Sequence, residues 1–263
     1  VKVNPNIIRS INNQEFIPVP NTTVQNFGQS IKNGDKFDIC GSWDFFGSDD
    51  YDKYHLNLKI QSPDWYYRKN KVKYTLNSHG YRTKEFSEID WSNSIIIFGC
   101  SYIFGTGVDD SHTLSSYLEK LFDVPVINMG MGGSSIQFAL HNSLMLYKKY
   151  GIPRAVIYGM TGMTRYLLYQ RNYVQLKLGY EDSPNNKAVD HLIPYNLINV
   201  ELIRNLWKDK CKYYEFSCFP TTAKFLSCDL HKPIPDDYAR DMSHPGIKSN
   251  QLIAQNIYKS LKL

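Results

Sequence analysis

Residues 94–110 read SIIIFGCSYIFGTGVDD, and the reading of this stretch decides the fold. Apolar residues run unbroken from Ile95 to Phe98, the length of a buried strand, and stop at Gly99. Cys100 and Ser101 come next, followed by a turn punctuated by Gly105, Thr106 and Gly107. In open α/β sheets the crevice that takes a ligand lies beyond the carboxyl ends of the strands. That places the Ser101 hydroxyl at the mouth of such a crevice. On this stretch alone, an ordinary serine in a strand-to-helix turn reads equally well, since such turns are rich in Gly and Ser for conformational reasons.

Beyond this stretch, strand and helix patterns alternate. Asp110 or Ser111 can cap a helix through Phe122 that carries Leu114, Leu118 and Leu121 on one face. VPVINMG, ending at Gly130, reads as the next strand. After Gly132 and Gly133, Ser134 or Ser135 can cap a second helix with Ile136, Leu140, Leu144 and Tyr147 in register, stopped by Gly151 and Pro153. AVIYGM is a third buried strand. Residues 161–193 carry a weak signal and read as a long loop or lid. A helix over Leu197 to Lys210, a strand over Tyr213 to Cys218 and a C-terminal amphipathic helix bearing Ile253, Ile257 and Leu261 complete the chain. Repeated βα units of this kind predict an α/β protein with a mostly parallel sheet covered on both faces.

Residues 1–90 read differently, as a β-rich extension or small module ahead of a domain spanning 91–263. KFDIC, YHLNLKI and KVKYTL are short aromatic or β-branched runs between clusters of Asn, Gly, Asp and Ser. The basic and aromatic segment WYYRKNKVKY could serve nucleic acid. A β-hairpin with Arg68, Lys69, Asn70 and Lys71 at a solvated turn is the favoured reading, because Lys blunts exposed strand edges.

Composition narrows the function classes. The 263 residues can bury a large core, and 30 basic against 25 acidic residues, with no long like-charge block, make no case for nucleic acid. The aromatic share of 14% suits a sugar-facing surface or an aromatic core. No segment has the apolar core of a signal peptide or the length of a membrane span. The chain begins at Val1 rather than Met, which leaves open a trimmed leader. Cys40, Cys100, Cys211, Cys218 and Cys228 form no disulfide or zinc pattern, so a reducing, cytoplasmic or virion-associated setting is expected, with no metal and no cofactor. The glycines follow neither the dinucleotide nor the P-loop pattern. His112, His141, Asp109 and Asp110 fit exposed or capping positions, and His55, His79, His191 and His231 lack partners at ligand spacing.

The second informative stretch is ARDMSHPGIKSN, residues 239–250. Asp241 and His244 are three apart, just before a helix with Pro245 near its first turn. On a turn, that spacing lets a carboxylate fold back on the imidazole, hold one ring nitrogen protonated and leave the other as a base. A serine nucleophile needs such a base, because its hydroxyl must lose a proton to attack. Helix capping by Asp241 with an exposed His244 is the plainer alternative.

Three separated blocks in this order resemble the SGNH hydrolases, also called the GDSL esterase and lipase family, over residues 94–263. Gly99, Cys100 and Ser101 match the Gly-Asp-Ser block, with Cys100 in place of Asp; VINMGMGGSS matches the second block; DMSHPG matches the terminal one. NSHGYRT resembles a lead-in found in some members, which extends the similarity back to Asn77. The resemblance implies a three-layer α/β/α flavodoxin-like parallel sheet, a triad of Ser101, His244 and Asp241, and an oxyanion hole built from the N–H groups of Ser101 and Gly133. The family's usual Gly-x-Asn-Asp block is altered: this chain has Gly159, Met160, Thr161 and Gly162, so Thr161 stands where the oxyanion Asn is expected. Thr164 or Arg165 just downstream could replace that donor or bind an anionic group of the substrate. The function implied is hydrolysis of a small acyl ester, with O-acetyl groups on a carbohydrate as the leading substrate and an acylated glycan as the partner. The alternatives are an O-acyltransferase with the same triad, or a weakened binding or structural module, such as a phage or viral virion component.

Overall fold

The computed structural model describes residues 40–170, 173–177 and 192–263. The KFDIC stretch lies outside them except for Cys40. In the leading segment, β1 (Gly41–Trp43) pairs antiparallel with β2 (Tyr74–Leu76), with Gly41 opposite Leu76. Between them the strand expected over YHLNLKI is instead the helix α1 (Tyr51–Ile60). Asp50 starts it by accepting a hydrogen bond from the Lys53 N–H at 2.7 Å. The alternation of Leu56, Leu58 and Ile60 misleads because Leu56 and Ile60 face solvent. Asn57 is the buried residue, and it donates to the Arg240 carbonyl at 2.9 Å.

The expected hairpin is also replaced. Tyr66–Arg68 form a 3-10 turn, and the Arg68 guanidinium donates to the carbonyls of Leu58, Gln61 and Ser62, closing the end of α1.

The main sheet has five strands, β3 (Ile95–Gly99), β4 (Val126–Gly130), β5 (Ala155–Met160), β8 (Lys212–Ser217) and β9 (Asp229–Leu230), in the order β4-β3-β5-β8-β9. All four pairings are parallel. β6 (Tyr166–Gln170) and β7 (Tyr173–Lys177) form a separate antiparallel pair within the region expected to be a loop. The remainder of that region, up to residue 191, is outside the described residues.

The helices that follow the strands are α2 (Ser101–Phe104), α3 (Leu114–Phe122), α4 (Ile136–Tyr150), α5 (Leu192–Trp207), α6 (Pro220–Leu226) and α7 (Ile247–Ser260). Alternate strand residues divide between two cores, as the pleat requires. Ile95, Ile97, Val126, Ala155 and Ile157 pack with α3 and α7 on one face. Ile96, Phe98, Ile127, Met129, Val156 and Tyr158 pack with α4 and α5 on the other. The result is a three-layer α/β/α sandwich. No helix among the described residues is long and apolar enough to cross a membrane.

Two helix starts are settled by side-chain chemistry. Ser135 caps α4 by accepting from the Phe138 N–H. Thr113 caps α3 by accepting from the Ser116 N–H, whereas Asp110 and Ser111, the expected caps, lie in a preceding 3-10 turn held by Asp109. The helix expected from Leu197 begins earlier, at Leu192, and α6 and β9 were not expected at all.

Candidate active site

The parallel register sets Gly99 beside Gly130 and Phe98 beside Tyr158, so the loops leaving β3, β4 and β5 emerge together at the carboxyl edge. Ser101 is the first residue of α2, directly after β3. That short helix fits only because β4 ends in glycine: a Cβ on Gly130 would lie 2.7 Å from the Ile103 carbonyl carbon. Arg82, from the NSHGYRT stretch, is buried and clamps the loop beyond. Its guanidinium donates to Gly105 O at 2.6 Å, Val108 O at 2.8 Å and Lys73 O at 2.6 Å, and it pairs with Asp110. Asn77 folds the same stretch by accepting from the His79 and Tyr81 N–H groups.

Asp241 and His244 lie in the turn before α7. Ala239 N–H donates to His244 O and Met242 N–H to Ala239 O, both at 2.9 Å, and Met242 takes a left-handed φ of 56°. The turn points His244 at Ser101 and Asp241 at the far side of the imidazole. His244 Nε2 is 2.8 Å from Ser101 Oγ, and His244 Nδ1 is 2.6 Å from Asp241 Oδ2. The structure thus brings together three residues separated by up to 143 positions in the chain.

The Asp241 side chain is fully buried and has several further donors. Ser243 N–H and His244 N–H each donate to Oδ1 at 3.1 Å, and the hydroxyls of Ser243 and Ser48 donate to Oδ2 at 3.0 and 3.3 Å. Burial works to raise its carboxyl, but the hydrogen bond and charge of His244 and the bonds from Ser243 outweigh it and hold the group at about 2. Asp241 is therefore an anion at neutral pH. An anion on Nδ1 keeps that nitrogen protonated and leaves Nε2 as the acceptor for the serine proton.

The N–H groups of Ser101 and Gly133 have no acceptor among the described residues, and neither do those of the adjoining Tyr102 and Gly132. Gly133 sits in a turn closed by Ser134 N–H on Met131 O, and Ser134 Oγ ties this turn to Gly99 O at 2.8 Å. Thr161 follows β5 and is fully buried. Its Oγ1 accepts a 2.6 Å hydrogen bond from Arg165 Nη1, so its own hydroxyl proton points elsewhere. Arg165 stands 5.7 Å from the Phe219 ring. Phe219 packs on Tyr102 at 5.1 Å, and Tyr102 meets the edge of His244 at 5.6 Å. Thr164 is buried, and Cys100 is buried beneath the turn.

The sequence reading did not anticipate what the leading segment contributes. Asp49, Tyr74, Arg240 and Gly107 close a ring of buried hydrogen bonds. Gly107 N–H donates to Tyr74 Oη at 2.7 Å, Tyr74 donates to Asp49 at 2.5 Å, Arg240 donates to Asp49 at 2.8 Å, and the Arg240 N–H returns to Gly107 O at 2.9 Å. The ring joins the loop after Ser101 to the residue preceding Asp241. Gly107, at φ +80°, allows this approach: a Cβ there would lie 2.7 Å from the Ala239 Cβ. Lys53 adds a donor on the solvent side, 3.1 Å from Ser243 Oγ and 3.9 Å from Asp241. The signal available in the sequence was charge pairing between Asp49 and Arg240, which lie 191 positions apart and so show no local pattern. Among the described residues no group of three or more His, Cys, Asp or Glu is placed to hold a metal ion.

The chain aligns with several solved structures of GDSL or SGNH hydrolases. A lipolytic protein assigned to the G-D-S-L family from Desulfitobacterium hafniense aligns with 65% of this chain and 100% of its own at 10% identity and a TM-score of 0.43. A carbohydrate esterase family 2 enzyme from Corynascus thermopiles (Myceliophthora fergusii), solved with a carbohydrate-binding domain, aligns over 64% of this chain and 65% of its own, at 12% identity and 0.43. AlinE4, an SGNH-hydrolase family esterase, aligns over 66% and 96%, at 16% identity and 0.38. At these identities and TM-scores the likenesses bear on no residue of the site. No family model matches the sequence, and no curated protein does.

Proposed function

We propose that the protein is a serine ester hydrolase of the SGNH type. The observation that carries this reading is the unbroken chain Ser101 Oγ, His244 Nε2, His244 Nδ1, Asp241 Oδ2, with links of 2.8 and 2.6 Å. Ser101 Oγ attacks the ester carbonyl while its proton passes to His244 Nε2. Asp241 stays ionised and stabilises the imidazolium without taking its proton. The tetrahedral oxyanion is received by the N–H groups of Ser101 and Gly133 and by the Thr161 hydroxyl. Collapse breaks the ester C–O bond, and His244 returns the proton to the leaving alcohol. Water then attacks the acyl-serine by the same route and releases the acid.

Thr161 suits this role better with Arg165 than alone. A threonine hydroxyl is shorter than an Asn side chain and rotates, but a cation bonded to its oxygen fixes the rotor and polarises the O–H. The substrate in this reading is a small acyl ester, with an O-acetyl group on a carbohydrate as the leading case. The test is release of acetate from acetylated glycans and from aryl acetates by the wild type and by Ser101→Ala. Loss of about 10⁶-fold in kcat is expected on removing the nucleophile. Equal rates in the two proteins would exclude the enzyme reading in favour of a binding module.

A further inference from the structure

We propose, resting on the esterase reading, that Arg165 is the substrate-anion receptor of the site and that the ester hydrolysed carries a carboxylate or phosphate group. Arg165 differs from the other buried or half-buried arginines in what it touches. Arg68 is used up on backbone carbonyls, Arg82 on carbonyls and Asp110, Arg204 on Glu215 and Glu201, and Arg240 on Asp49. Arg165 is half-buried and has no carboxylate partner among the described residues. Among the described residues its side chain makes one hydrogen bond, from Nη1 to the neutral Thr161 hydroxyl.

A guanidinium has five N–H donors, and the bond to Thr161 leaves the Nε and Nη2 edge without an acceptor among the described residues. That edge is the fork that binds carboxylate or phosphate bidentately. Thr161 fixes the fork from one side and the Phe219 ring from another, so little freedom is lost when an anion docks. Its position links it to the chemistry. Thr161 leaves β5 next to β3, whose end at Gly99 lies two residues before Ser101, and the rings of Phe219 and Tyr102 lead from Arg165 to His244 in steps of 5.7, 5.1 and 5.6 Å. Among the described residues no carboxylate pairs with this half-buried cation, and a substrate anion would supply that partner.

The experiment compares esters that share an acyl group and differ in charge: phenyl acetate, 4-acetoxybenzoate and 4-acetoxyphenyl phosphate, together with 4-nitrophenyl acetate against mono(4-nitrophenyl) succinate. The wild type should favour at least one anionic ester over its neutral counterpart. Arg165→Gln should lower the anionic-to-neutral ratio of kcat/KM at least tenfold, chiefly through KM, with Arg165→Lys intermediate. The ratio cancels any loss shared by all esters through Thr161. The two anionic acetates distinguish carboxylate from phosphate as the bound group. A second measurement needs no variant: 4-hydroxybenzoate or phenyl phosphate should slow labelling of wild-type Ser101 by a neutral fluorophosphonate, and phenol should not. An unchanged ratio in Arg165→Gln, or no anionic preference and no protection in the wild type, overturns the assignment while labelling of Ser101 leaves the esterase reading standing. If Ser101 is not labelled at all, both fall.

Discussion

Replacing Asp49 by Asn removes one charge from the junction between the serine loop and the Asp241 turn while keeping the shape of the side chain. The Asp49 and Arg240 side chains are 1% and 5% exposed, so the variant leaves a guanidinium buried without its counter-charge. Breaking a buried pair in this way costs about 3–5 kcal/mol, a large fraction of the 5–15 kcal/mol typical of a whole domain. The catalytic consequence follows from the ring that passes through Tyr74 and Gly107. If the two loops separate by about 1 Å, the loss in kcat is on the order of 10²-fold, with KM little changed. Unfolding in urea, followed by the fluorescence of the four tryptophans, reads the first effect, and the rate of fluorophosphonate labelling at a temperature where the variant is fully folded reads the second. The neutral double variant Asp49→Asn with Arg240→Met should recover part of the stability, because no charge is then left unpaired, but not the labelling rate. A stability change below about 1 kcal/mol in Asp49→Asn, with an unaltered labelling rate, would refute the assignment of this junction as the brace of the site.

Other expected outcomes concern single side chains. Thr161→Ala should lower kcat by about 10²-fold, the usual cost of one oxyanion donor, with little change in KM; an unchanged kcat would remove Thr161 from the oxyanion hole. The Asp241 carboxyl is held at about 2 in the folded protein, below the unfolded value near 3.9. Its contribution, about 2 kcal/mol, is therefore present above pH 4 and lost as pH falls through about 2. Acid unfolding of Asp241→Asn should accordingly be flatter than that of the wild type over that window, and parallel curves would contradict the shift. Gly107→Ala should lower both stability and activity, since its Cβ would meet Ala239 and φ +80° strains any side chain; a variant with wild-type melting temperature and rate would count against the close approach.

Much of the sheet was legible because its signals are local. IIIFG and AVIYGM are continuous apolar runs and VINMG is broken only by Asn128, and strands buried on both faces leave that trace. Ser101, Asp241 and His244 could be read because each lies beside a turn with its own chemistry: glycines after β3, and an Asp three residues before His and Pro. The leading segment was not legible. Leu56, Leu58 and Ile60 alternate like a strand, yet an Asp50 cap and the burial of Asn57 against Arg240 make a helix. The sequence reading assigned nothing to α6, a short helix that Pro220 opens as its first residue, where a missing N–H costs nothing. The brace through Asp49, Tyr74 and Arg240 joins positions far apart in sequence, and long-range pairing of that kind leaves no periodic trace.

The most direct test of the account is intact-mass analysis of the protein after reaction with a fluorophosphonate. A single adduct on Ser101 is expected in the wild type, with none in Ser101→Ala and labelling slowed by orders of magnitude in His244→Ala. Folded wild-type protein that takes up no adduct, or an adduct that persists in Ser101→Ala, would contradict the central claim that Ser101 is a nucleophile activated by His244 and Asp241.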